Sequence, residues 1–214
     1  MIAVIKGDIV NSRIIANQNK WLTPLKKLFN KFGRSPKRWE IVWGDFFQIE
    51  ISDPPEALRA ALEIKALIKS IDLKKIDKKS SPIDVRMAIG IGDKEYSGRR
   101  ISESNGTAFV FSGEKFEKLK KEKSTLALQT PWEEFNEEMN LCLKLASVFM
   151  DKWTISSGEL IKFILQNKNA TQEEIGEFLG IKQNSVSGRW NRANASEVLE
   201  LLKFYEDRLF RRLI

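Results

Sequence analysis

Two aspartates stand where a chain can do chemistry. Asp8 lies in Lys6-Gly7-Asp8-Ile9-Val10-Asn11-Ser12-Arg13, and Asp45 lies in Val42-Trp43-Gly44-Asp45-Phe46-Phe47. The first follows Ile2-Ala3-Val4-Ile5, an apolar run that reads as a buried strand. The second sits between Glu40-Ile41-Val42-Trp43 and Phe46-Phe47-Gln48-Ile49-Glu50-Ile51, which read as a tight hairpin. Carboxylates on adjacent strands can share one Mg²⁺, a cation that takes oxygen ligands and leaves its other positions to water and phosphate. Asn11, Ser12 and Arg13 follow Asp8 directly, and Arg86 sits on a later strand. The candidate nucleotide-binding set is therefore Asp8, Asn11, Ser12, Arg13, Asp45 and Arg86, with Asp8 and Asp45 as the metal ligands and no catalytic residue assigned. Each piece also has a structural reading. Asp8 and Ser12 can cap the following turn, and Gly44-Asp45 is an ordinary hairpin dipeptide in the reverse of the favoured order.

Composition narrows the chemistry. The 214 residues contain no histidine, which excludes imidazole acid–base catalysis and imidazole metal ligands and leaves hard oxygen donors for any metal. The one cysteine, Cys142, lies in an apolar helical stretch and reads as packing. No run approaches the ~18 apolar residues of a membrane span, and the Met-Ile-Ala-Val-Ile opening is too short for a secretory segment, so the expectation is a cytoplasmic protein with no membrane partner. The net charge of +7 is concentrated before residue 150. Lys20, Lys26, Lys27, Lys31, Arg34, Lys37 and Arg38 follow one another with no acid between them, either as a nucleic-acid face or as a solvated helix and loop.

These residues need elements to position them. Helical spacing of Trp21, Leu22, Leu25, Leu28, Phe29 and Phe32 predicts a helix over 17–32, stopped by Gly33. Asp53-Pro54-Pro55-Glu56 opens a second, reaching about Ile71, and Asp72 to Pro82 reads as a polar loop. Ile83 to Asp93 alternates as a strand, 94–106 is a turn region, 107–121 a helix and 125–129 a last strand. This order predicts an α+β, ferredoxin-like (palm-like) domain over 1–130, an antiparallel sheet with its helices on one face and Asp8 beside Asp45. A connecting helix over 131–153 leads to an all-α unit over 154–214. Within it, 170–181 and 182–193 form helix, turn and helix: Thr171 and Glu174 make a capping box, Gly176 allows close approach, Gly180 makes the turn, and Ile175, Leu179, Ile181 and Val186 form the core. Residues 195–213 form a final helix.

Two resemblances add to this reading. "Ile-Lys-Gly-Asp-Ile-Val-Asn-Ser-Arg", "Trp-Gly-Asp-Phe-Phe-Gln", "Val-Arg-Met-Ala-Ile-Gly-Ile-Gly" and "Asn-Gly-Thr-Ala-Phe" resemble the SatD family over residues 1–130. More distantly they resemble class III adenylate and guanylate cyclase domains, in which two aspartates bind metal. Asp8 and Asp45 match those positions. The base-selecting lysine falls on Ile41, the transition-state asparagine on Val110 and the arginine on Glu114, so the resemblance implies no cyclase activity. Arg86, Arg99 and Arg100 are candidate phosphate contacts in their place, with Ser102, Ser104 and Asn105 lining the site.

Residues 170–193, with their Arg-x-x-Arg-Ala ending, resemble the helix-turn-helix of sigma-factor region 4. Such motifs place the second helix in the major groove of double-stranded DNA, which nominates Gln183, Asn184, Ser185, Ser187 and Arg189 for bases and Lys182 and Arg192 for phosphates, with Trp190 in the core. The expected function is a homodimeric DNA-binding regulator whose first domain senses a nucleotide with Mg²⁺ or assembles the dimer, the connecting and final helices being dimerisation candidates. The alternatives are a Mg²⁺-dependent nucleotide-processing enzyme and a scaffold.

Overall fold

Strand β1 (Ile2–Val10) presents Ala3, Ile5 and Ile9 to one layer and Val4, Lys6 and Asp8 to the other, the period-two alternation that decides what its chemistry faces. The computed structural model describes residues 1–15, 17–72, 83–122 and 124–214, so the expected polar loop lies almost entirely outside the described residues. Four further strands, β2 (Trp39–Val42), β3 (Phe46–Ile51), β4 (Asp84–Gly92) and β5 (Leu126–Gln129), complete a sheet of order β2-β3-β1-β4-β5. Strand β1 pairs antiparallel with β3 and β4, β2 pairs antiparallel with β3, and β5 runs parallel to β4. The class is α+β with a mixed sheet.

The expectation of helices on one face is corrected. Helices α1 (Asn19–Phe29) and α2 (Ala57–Lys69, after a 3₁₀ turn over Pro54–Glu56) pack on the Ala3 and Ile5 face, whereas α3 (Thr107–Glu122) packs on the Val4 face. The parallel β4–β5 pair explains this, because parallel neighbours need a crossover and α3 supplies it. The row Ala88, Gly90 and Gly92 on β4 leaves α3 room to approach: a Cβ on Gly90 would lie 2.2 Å from the Ala108 carbonyl oxygen. Helices α1 and α2 are each shorter than their apolar patterns predict.

Helix α2 is buried from Ala57 to Lys69 on nearly every side, because the sheet covers one side and a second helical layer the other. That layer comprises α4 (Glu133–Met150), α5 (Ile155–Gln166), α6 (Gln172–Leu179), α7 (Gln183–Ala193) and α8 (Ala195–Leu213). Helix α5 meets α2 at Gly158, where a Cβ would stand 2.7 Å from the Ser70 nitrogen. One hydrophobic core runs from Ala3 and Ile49 through Ile64 to Ile161, Val186 and Leu209, so the sheet and the helix-turn-helix unit share an interior.

Two lysines on α2 enter that interior with their charges compensated, as buried ammonium groups require. Lys65 Nζ lies 2.9 Å from Asp84 Oδ1 and 2.7 Å from Asp151 Oδ1, and Lys69 Nζ lies 2.8 Å from Asp84 Oδ2 and donates to the Asp151 carbonyl at 2.6 Å. The network ties β4, α2 and the end of α4 together. Tyr205 on α8 adds a buried tie, donating to the Pro54 carbonyl at 2.7 Å.

Three of the seven cations in the stretch 20–38 are engaged in structure. Lys31 pairs with Glu63 at 3.2 Å, Lys37 donates to Ser97 Oγ and the Gly98 carbonyl, and Arg38 pairs with the buried Glu50.

Candidate functional site: a sheet groove and an exposed helix

Helix α3 covers β4, β5 and part of β1 but leaves the Asp8–Phe46 end of the sheet open. The resulting groove, about 490 Å³, is lined by Lys6 and Asp8 from β1, Trp43, Asp45 and Phe46 from the hairpin, and Gly113, Phe116, Glu117 and Lys120 from α3. The two aspartates thus line one groove. They are joined through the backbone, where Ile9 N donates to the Asp45 carbonyl at 3.2 Å.

Both carboxylates are already engaged. Arg86 opposes Asp8 across the β1–β4 pair and grips it with two hydrogen bonds, Nε to Oδ1 at 3.1 Å and Nη2 to Oδ2 at 2.7 Å. Ser12 Oγ, buried in the turn after β1, donates to Asp45 Oδ2 at 2.7 Å. This arrangement engages both Asp8 oxygens, so Asp8 can ligate a cation only if Arg86 lets go, whereas at Asp45 it engages Oδ2. Among the described residues no group of three or more Asp, Glu or Cys side chains is placed to hold a metal ion. Mg²⁺ would fit here through Asp45 together with oxygens brought by a ligand.

The cations fit an anion better. Lys6 Nζ, half-buried beneath α3 at Gly113, donates to the Phe109 carbonyl at 3.4 Å and has no salt-bridge carboxylate among the described residues. Burial pulls its ammonium pKa below the ordinary lysine value, and the more distant Glu117 carboxylate offsets part of that fall. Lys120 lies 4.6 Å above the Phe116 ring and pairs with Glu117 at 2.9 Å, on the exposed lip. The aromatic wall continues from Phe116 to Phe46 (5.6 Å between ring centroids) and on to Trp43 (5.9 Å). Trp43 is 90% exposed and adopts φ 52°, the left-handed region that bulky side chains rarely occupy. A large aromatic held in strained backbone at a groove mouth marks a functional position better than a packing one.

Sequence reasoning found Asp8, Asp45, Ser12 and Arg86, and the structure gathers all four. Asn11, at φ 62°, and Arg13 are exposed on the adjoining turn and do not line the groove. Arg100, Ser102, Ser104 and Asn105 lie in a different place: Arg100 and the Ser102 amide bind Glu40, Ser104 Oγ accepts from Gly98 N, and Asn105 pairs with Tyr96. Arg99 is on the same loop, its amide bound to Glu103. Lys6, Trp43, Phe46, Phe116 and Lys120 were missed. The one signal for Lys6 was a charge interrupting an apolar strand on the parity of Asp8.

No family model matches the chain, and no curated protein matches it.

The second candidate surface is α7. Thr171 Oγ1 accepts from Glu174 N at 3.2 Å while Glu174 Oε2 accepts from Thr171 N at 2.7 Å, the expected capping box, and Gly180 takes φ 63° at the turn. Val186 and Ala193 face the core, and Trp190 packs partly against it while donating to Ser196 Oγ. The 3.6-residue period then turns Asn184, Ser187 and Asn191 outward, with Lys182, Gln183, Ser185 and Arg192 also exposed. Arg189 is on the inner flank, 21% exposed, its guanidinium 3.7 Å from Glu159 of α5. Asn191 is an exposed amide that the sequence reading passed over. Residues 178–196 contain no acid, and Lys182 and Arg192 have no ion-pair partner among the described residues.

Proposed function

We propose that this chain is a homodimeric DNA-binding regulator that reads the major groove of double-stranded DNA with α7 and receives a phosphorylated ligand, a nucleotide, in the sheet groove. The observation that carries it is the α7 surface. An exposed row of amides and hydroxyls, Gln183, Asn184, Ser187 and Asn191, is flanked by Lys182 and Arg192, whose charges nothing in the described chain neutralises. Amides match adenine edges and unpaired cations match phosphates. Arg189 serves here by holding α7 on α5 through Glu159.

The strand order and directions, with β3 between β2 and β1, support a ferredoxin-like reading of the first four strands, β5 being appended, and with it the SatD and cyclase-type resemblance. In the groove a base would stack on Trp43 and a phosphate would meet Lys6 and Lys120, while Mg²⁺ would arrive with the phosphates and take Asp45. The departures at Ile41, Val110 and Glu114 speak for binding without turnover.

Fluorescence anisotropy of a labelled duplex, titrated with the full chain at several salt concentrations, tests the reading. The expected result is a logarithmic salt slope that becomes shallower by about 2 in a Lys182→Ala/Arg192→Ala chain, since each lost phosphate contact is worth ~0.9. A salt-independent affinity, or a slope untouched by the double substitution, would contradict it.

A further inference from the structure

Helices α4 and α8 lie side by side and antiparallel, locked by Glu138 to Arg208 and by Arg212 Nη2 to Glu134 at 3.6 Å. Along α4 the exposed row is Glu134, Glu137, Leu141, Leu145 and Val148, with Lys144 on its edge and Lys152 just beyond the end; along α8 it is Glu197, Glu200, Phe204, Asp207 and Arg211. The α4 row begins acidic, is apolar along its middle and ends basic. The apolar middle is wide open, with Leu141 59%, Leu145 62% and Val148 62% exposed beside a shallow groove of Cys142, Phe149, Leu201 and Phe204. Glu137, Lys152, Glu197, Glu200 and Arg211 have no ion-pair partner among the described residues.

We infer that this face is the surface on which a second copy of the chain docks, α4 against α4 in antiparallel two-fold contact. A two-fold axis across the helices reverses the α4 row on its counterpart. Glu137 then approaches Lys152 of the second copy, and the leucine ridges meet at the centre. Glu137 and Lys152, both left over in one copy, complement each other after that rotation, which a surface built for solvent does not need, and an apolar centre inside a charged rim is the composition of a protein interface. The inference rests on the homodimer in the reading above and names its surface; α7 lies outside the face, so two copies would present two reading helices related by the same axis.

Sedimentation velocity and light scattering of the full chain across micromolar concentrations test it. The wild-type chain is expected at twice the monomer mass. Leu145→Glu should weaken the dimer by about 30-fold or more, the scale of a central interface residue. Its melting temperature measured at dilutions where the wild type is also monomeric should be unchanged, because Leu145 is exposed in one copy. Glu137→Lys and Lys152→Glu should each weaken the dimer, and the double reversal should restore it. A wild-type chain that stays monomeric would assign the face to some other occupant and overturn the inference, as would a dimer indifferent to Leu145→Glu or single reversals that the double does not rescue. DNA affinity is scored separately: a dimer without DNA binding leaves this surface standing and removes the reading head, and a DNA-binding monomer does the reverse.

Discussion

At Trp43 the protein keeps a bulky side chain in a backbone conformation that glycine would take at no steric cost, with almost none of the ring buried in return. If the strain is maintained for a ligand, Trp43→Gly should leave the fold as stable or more stable by up to about 1 kcal/mol while losing the quenching of indole fluorescence by a nucleoside triphosphate. A variant that binds as the wild type does would remove Trp43 from the site. Lys6 gives the same groove a pH signature. Its folded pKa is lowered chiefly by burial, so phosphate affinity should fall as pH rises through a value under the ordinary lysine range. The unliganded fold should gain stability over that interval, since the unfolded chain then binds the extra proton. Affinity flat to the ordinary lysine range would contradict the assignment. Asp8 and Asp45 were legible from their strand ends, whereas Trp43 and Lys6 were not, because backbone angle and depth beneath α3 belong to tertiary structure.

Between residues and molecule stand the joints. Loop 93–106 is pinned to the sheet edge by Glu40, whose charge burial disfavours but hydrogen bonds from Ser102 and Arg100 more than restore, leaving its pKa below the ordinary glutamate value. Its contribution is therefore complete above that value and is lost as pH falls through the lowered one. Arg100→Ala should move the Glu40 titration upward by NMR and shift acid unfolding to higher pH; an unmoved titration would mean that Arg100 does not hold the carboxylate. On α2, Lys65→Met should cost about 2–3 kcal/mol in denaturant unfolding, below the full cost of an orphaned buried pair because Lys69 still meets Asp84 and Asp151 is partly wet. A loss under ~0.5 kcal/mol would mean that the network is not needed. The helix order, the capping box and the hairpin were readable from periodicity, caps and glycines. The placement of α3 on the second face was not, since it depends on β5 pairing parallel to β4 across the sequence gap from Gly92 to Leu126. Nor did the inward lysines of α2 announce themselves, because a lysine in an apolar stripe reads as a flaw until Asp84 and Asp151 are seen beside it.

At the scale of the whole molecule, the shared core means that the sheet and α7 are linked through α2 and α5 and not by a tether. Gly158→Val drives a side chain into the α2 backbone, where even the Cβ would stand 2.7 Å from Ser70 N and 2.8 Å from the Ala66 carbonyl. It should destabilise the chain by ~2–3 kcal/mol on the scale of core overpacking and should weaken both ligand and DNA binding, without touching either surface. Loss of neither would show that the halves stand independently. The central claim is that α7 reads DNA sequence, and selection of duplexes from a randomised pool tests it most directly. The account predicts enrichment of a two-fold symmetric sequence by the wild-type chain, with preference at particular bases lost in Asn184→Ala/Ser187→Ala while salt-dependent affinity for unselected DNA persists. A pool that emerges unenriched, or an enriched sequence indifferent to the exposed row of α7, would contradict it.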